Sequence, residues 1–165
     1  MRAIYSLAAE LGKPVLMHFQ ELTANFNTRF TRFPAILTAF PNTTLIGNEN
    51  YFRANVSADE PTGVSYPGGE VKPGVLIDRM PTNFPNLNGD LWANSGRNSS
   101  ARDPDHAAWL LERHRRKMLF ASDCPCVRGR TECIARETLM HLKTLASAEV
   151  FAEIAFGNAP KLLKL

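Results

Sequence analysis

Two rhythms of apolar residues take turns along this chain. In AIYSLAAELG, Ile4, Leu7, Ala8 and Leu11 share one helical face, and Gly12 follows as a C-cap. KPVLMHF is then a short continuous apolar run, which predicts a buried strand from Val15 to His18. Helical spacing returns with Phe33, Ile36, Leu37 and Phe40 over about 31–40. Pro41 and Asn42 break that helix, and TTLIGN reads as a second strand, rich in β-branched residues.

Residues 49–74 form a long polar connection with several glycines and prolines, a length that marks a functional or disordered segment. A helix over about 74–83 leads to PNLNGDLW, the third strand, and ANSGRNSSARD reads as another polar loop. PDHAAWLLERHRR carries Pro104 in its first turn, where proline is tolerated, and delivers the chain to a fourth strand in KMLFASD. Two helices, about 130–145 and 148–163, complete the chain, and no internal repeat interrupts it. Helix and strand alternate four times. That order predicts a parallel α/β sheet in a single domain, 1–165. Its strands are expected near 14–18, 44–48, 86–91 and 118–123, neighbours in sequence being neighbours in the sheet.

Every one of these strands ends on polar residues: His18, Asn48, Asp90 through Asn94, and Asp123. Parallel α/β folds bind ligands at the C-terminal ends of their strands. His18 and Asp123 are the sharpest pair. An imidazole and a carboxylate at neighbouring strand ends can hold a divalent cation such as zinc, or serve as acid and base. The same residues admit a plainer reading, a hydrogen-bonded core histidine and an aspartate that caps the next loop. His106, His114 and His141 fall on amphipathic helices or their ends and read as solvated. Cys124 and Cys126 offer soft sulfur donors, or are simply small residues packed beneath a loop. No GxSxG elbow, GxxxxGK[ST] phosphate loop or GxGxxG is present, which disfavours serine hydrolases, P-loop enzymes and dinucleotide enzymes.

Composition adds limits. A chain of 165 residues that is 44% hydrophobic and 21% charged supports one folded domain with one core. The net charge of +3 is scattered apart from RHRRK, Arg113 to Lys117. That cluster sits at the end of a helical pattern, where cations favour the helix C-terminus, so nucleic acid is not an expected partner. Of three cysteines, Cys124 and Cys126 stand too close for ordinary disulfide geometry, and no pair of CxxC units suggests structural zinc. Free thiols, and with them a reducing, cytoplasmic location, are expected. No apolar run approaches the ~18 residues of a membrane span, and MRAIYSLAAELG lacks a secretory pattern, so no membrane association is expected.

GKPVLMHFQE, FPNTTLIGN, FPNLNGDLWANSGRNSSARD, KMLFASDCPC and IAFGNAPKLLKL, in that order, resemble the amidohydrolase superfamily. The likeness is to the branch of aminocarboxymuconate-semialdehyde decarboxylase and the resorcylate decarboxylases. It implies a (β/α)8 TIM barrel with a metal site, of which this chain would supply about strands 5–8 with their helices. A whole barrel takes about 250 residues. The resemblance makes His18 the fifth-strand metal ligand and Asp123 the eighth-strand aspartate, which binds metal or orients the attacking water. Asn48 stands where relatives commonly carry a histidine, and its amide suits a substrate contact better than a metal. The first-strand HxH pair is absent. The implied cofactor is a divalent metal, zinc first. The implied reaction is hydrolysis or non-oxidative decarboxylation of a small carboxylated or cyclic substrate. With an incomplete donor set, weak or no metal binding and little or no hydrolase activity are expected of this chain by itself. The alternative is a non-catalytic half-barrel, a binding or assembly module. In either case a second copy (a homodimer) or a missing N-terminal half would cover the open sheet edge.

Overall fold

The computed structural model of the chain describes residues 1–19, 32–49, 56–58, 66, 68–72, 76–91, 93–124 and 133–165. Most of the long connection at 49–74 lies outside them. Four strands, Val15–Phe19 (β1), Leu45–Glu49 (β2), Leu87–Asp90 (β3) and Met118–Leu119 (β4), form one parallel sheet in the order β1-β2-β3-β4. The described helices are Arg2–Glu10 (α1), Phe33–Ala39 (α2), Leu76–Asn83 (α3), Ala93–Ala101 (α4), Pro104–Arg113 (α5), Ile134–Leu145 (α6), Ala148–Ala152 (α7) and Asn158–Leu163 (α8). A π-helical turn, Glu153–Gly157, joins α7 to α8. The sheet order and the alternation are those the apolar pattern predicts.

The two-residue period of a strand sorts the sheet into two faces. Leu45, Leu87 and Met118 turn toward the helices and meet Phe33, Leu37, Leu110 and Ile154, with Val15 and Met17 packed alongside. Leu45, Leu87 and Met118 are each 0% exposed, and burial of that completeness contributes about 1.5–3 kcal/mol per side chain. The alternate residues therefore point to the opposite, inner face: Leu16 and His18, Ile46 and Asn48, Asn88 and Asp90.

Five expectations need correction. ANSGRNSSARD is not a loop, because Ala93–Ala101 of it is α4. Its serines, asparagines and glycine are poor helix formers, so tertiary contact overrides propensity here. Gly96 is buried against Leu91, where a Cβ would lie 2.9 Å from the Leu91 carbonyl carbon, and only a glycine lets the helix approach so closely.

The fourth strand, expected to run to Asp123, ends at Leu119. Residues 117 and 119 bond β3, so Met118 and Phe120 direct their backbone groups outward. The Phe120 amide donates to the Ile154 carbonyl at 3.0 Å, and Asn158 Nδ2 donates to the Met118 carbonyl at 2.8 Å. The C-terminal helices thus occupy this edge.

The histidines are not simply solvated. His114 is buried and bonds Asp78 Oδ1 through Nε2 at 3.0 Å, beside the Arg113 Nε–Asp78 bond of 2.7 Å. His106 and His141 are half-buried. Other cations of the basic cluster are engaged within the chain: Arg115 pairs with Glu149 and Glu153, and Lys117 Nζ donates to the carbonyls of Phe84, Pro85 and Leu87.

The thiols differ as well. Cys133 is free, but Cys124 is disulfide-bonded. Asp123, at φ 44, turns the chain sharply just before Cys124, which removes the extended geometry assumed for that stretch.

The first helix also departs from a simple amphipathic picture. Its buried residues are Tyr5 and Ala8, whereas Ile4, Leu7 and Leu11 are 55%, 53% and 63% exposed. Tyr5 ties the helix to the following layer: its ring packs on Phe40 with centroids 5.1 Å apart, and its carbonyl accepts from Thr43 Oγ1 at 2.8 Å.

Candidate functional site

Register decides which strand-end residues meet. β1 and β2 pair from Val15↔Leu45 to His18↔Asn48, so the imidazole and the amide stand side by side on the inner face. β2 and β3 pair through Ile46↔Asn88 and Gly47↔Gly89, which carries Asn48 next to Asp90. Asp90 in turn pairs with Leu119. His18, Asn48 and Asp90 thus form a row across three adjacent strands, about 4.8 Å from one strand to the next.

Their environments differ. His18 lies on the edge strand and is exposed, while Asn48 is 1% and Asp90 3% exposed. Asn48 Oδ1 is buried and has no hydrogen-bond partner among the described residues. An unsatisfied buried acceptor of this kind costs about 1–3 kcal/mol, so the amide is a stability liability where it stands.

Of the residues singled out in the sequence, the fold makes His18 and Asn48 immediate neighbours. Asp123 stands apart from them in the sheet. It is exposed, lies four residues beyond the last paired residue of β4, and continues the strand at the opposite edge from β1. Cys126 lies outside the described residues, and Cys124 is bonded. Asp90, in the sequence only one of several polar residues at the third strand end, is the one that the register sets beside Asn48. The alternation L-N-G-D carried its signal, since Leu87 in the core places Asn88 and Asp90 on the inner face.

A divalent metal is the cofactor that the resemblance implies. Among the described residues no three His, Cys, Asp or Glu side chains gather as a metal site. Asn48 Oδ1, which has no hydrogen-bond partner among the described residues, stands between His18 and Asp90 in that row. Among the described residues, no helix is long and apolar enough to cross a membrane.

No protein-family model and no curated protein matches the sequence. Solved structures do. An uncharacterized TIM-barrel protein from Bordetella bronchiseptica matches with a TM-score of 0.62 at 16% identity, over 99% of this chain and 50% of that one. A proposed 2-pyrone-4,6-dicarboxylic acid hydrolase from Pseudomonas putida matches with a TM-score of 0.63 at 15% identity, over 99% and 56%. A 2,6-dihydroxybenzoate decarboxylase in complex with 2,6-dihydroxybenzoate matches with a TM-score of 0.54 at 13% identity, over 99% and 55%. The chain therefore spans about half the length of the structures it matches. Its four parallel strands and their helices have the fold of about half of a TIM barrel.

Proposed function

We propose that the chain is one half of a metal-dependent barrel enzyme that hydrolyses or non-oxidatively decarboxylates a small carboxylated or cyclic substrate. The row of His18 and Asn48, register partners at the ends of β1 and β2, is the observation that carries this reading. It places ionisable and hydrogen-bonding groups on the inner face, where barrel enzymes do their chemistry. Support comes also from the matched structures, two of which are described by acid hydrolysis and benzoate decarboxylation.

A divalent cation held at these strand ends would supply Lewis acidity toward a carbonyl or carboxylate oxygen and lower the pKa of a bound water. His18 would ligate it through a ring nitrogen. Asn48 would orient the substrate by its amide. Asp123, exposed beyond β4, would accept a proton at its carboxylate. The test is binding of 2,6-dihydroxybenzoate to the purified chain by calorimetry, with Mn2+ and with a chelator. Binding that requires the cation is the expected result. No binding, or equal binding in the chelator, overturns the reading.

One feature favours a second role, in assembly. The exposed Ile4 and Leu7 of α1, with Leu11 just after it, lie near β1, whose Leu16 is 50% exposed at the open edge of the sheet. An edge with this apolar flank invites a covering partner. A non-catalytic assembly module predicts a concentration-dependent oligomer in sedimentation that binds neither cation nor benzoate.

A further inference from the structure

We propose that Cys124 and Cys133 form a thiol–disulfide exchange site beyond the end of β4, in which the Cys133 thiol attacks the Cys124 disulfide. This chemistry does not depend on the metal-dependent reading above.

Three observations converge. First, a thiol and a disulfide sulfur are in contact. Cys133 is free, Cys124 is disulfide-bonded, and their Sγ atoms lie 3.6 Å apart. A sulfur already in a disulfide carries no hydrogen, so the Cys133 S–H is the donor of that contact. Exchange begins with this encounter, a thiolate closing on one sulfur of a disulfide. Holding the two sulfurs together turns a bimolecular search into an intramolecular step.

Second, the attacking residue is held in place. Cys133 is the N-cap residue of α6, and its side chain makes no capping hydrogen bond, so the helix end does not draw the sulfur away from Cys124. Thr138 and Leu142 are buried on the same helix, which fixes where it begins.

Third, both cysteines are half-buried rather than sealed. Structural cysteines deep in a core are inert, whereas exchange needs a thiol that water and small thiols can reach.

The step conserves electrons. Cys133 gives its proton to water, and its thiolate attacks Cys124 Sγ. The Cys124–Cys133 bond forms as the existing Cys124 bond breaks, and the departing sulfur leaves as a thiolate that takes up a proton. No oxidant enters. The chain has three cysteines and Cys133 is free, so within one chain the departing sulfur is that of Cys126. The new bond ties the residue next to Asp123 to the start of α6, and exchange thereby changes how the chain beyond Asp123 is tethered.

The test is disulfide mapping of the full chain, purified without reductant and held at about pH 8, where a thiol is partly ionised. The protein is trapped with N-ethylmaleimide at lower pH, cut with trypsin and read by mass spectrometry. Cys124 and Cys126 fall in the peptide 118–128 and Cys133 in 131–136. The expected result is a mixture. One species has its disulfide inside 118–128 and maleimide on 131–136, and the other has the two peptides cross-linked through Cys124. A second measurement uses Cys126→Ser treated with glutathione disulfide. Closure of the Cys124–Cys133 bond, with release of glutathione, should be at least about tenfold faster in the folded chain than in urea, where the alignment is lost. No cross-link in the unmodified chain, or closure no faster than in urea, overturns the proposal. Neither assay uses cation or benzoate, so failure here leaves the metal-dependent reading standing.

Discussion

His18 and Asn48 are register partners on neighbouring strands, yet one is exposed and the other is 1% exposed. The edge strand leaves the imidazole open on one side, while the second strand has neighbours on both. A donor at position 48 is therefore shielded from water and held rigidly, two conditions that strengthen any charge interaction made there.

Asn48→His should tighten cation binding about tenfold, because a neutral imidazole adds a basic nitrogen where an amide offers only a carbonyl oxygen. Calorimetric titration of both proteins with Mn2+ measures it. Unchanged affinity would mean that position 48 does not face the ion.

Asn48→Leu should stabilise the fold by about 1–3 kcal/mol, since it removes a buried acceptor that has no hydrogen-bond partner among the described residues. Denaturant unfolding in the presence of a chelator measures the effect. A destabilised variant would show that the amide is satisfied within the chain, and the functional reading of its cost would fail.

Gly96→Ala should destabilise by about 1–3 kcal/mol, against the usual gain from replacing a helical glycine. The added Cβ would meet the Leu91 backbone at 2.9 Å, and backbone cannot swing aside as a side chain can. A urea midpoint equal to or above that of the parent would contradict the packing of α4 on the end of β3.

Asn158→Asp should cost about as much as Asn158→Ala, roughly 1–3 kcal/mol. Asn158 Nδ2 donates to the carbonyls of Arg115 (2.6 Å) and Met118 (2.8 Å), and an aspartate has no donor for either. Full stability in the aspartate variant would mean that these bonds do not seal the β4 edge.

Stability should fall as the solution is acidified from about pH 8 to pH 5. Burial pushes the His114 imidazole below its ordinary 6.5, and the Asp78 bond recovers only part of that. The unfolded chain then takes up the proton first, so protonation favours unfolding. Burial lowers His106 and His141 in the same direction. Asp78 adds a second loss at lower pH. Burial works to raise its carboxyl, but the bonds from His114 and Arg113 outweigh it and hold the group below 3.8. Its contribution is present above that value and disappears as pH falls through the folded pKa. Thermal midpoints across the range, with His114→Gln as the comparison, should show a shallower slope in the variant near neutral pH. Parallel slopes would place the titration elsewhere.

The sequence by itself determined the sheet. Continuous apolar runs at VLM, TLI and the ML of KMLF, set between segments of helical spacing, specify buried parallel strands, because both faces of such a sheet must be covered. Strand order followed from the same alternation. The helix Phe33–Ala39 was equally legible from Phe33, Ile36 and Leu37. Contacts between distant residues decided what the pattern could not show. Ala93–Ala101 is helical because Gly96 can lie against Leu91, a fact of packing that no propensity records. His114 is buried because Asp78, 36 residues earlier, reaches it. The strand ends were visible as polar residues, and His18 and Asn48 could be named. The partner of each was fixed only by register, in which a shift of one residue turns a side chain to the other face. That register makes Asp90 the neighbour of Asn48 and leaves Asp123 beyond the sheet, because the C-terminal helices take the outward backbone groups of β4 at Met118 and Phe120.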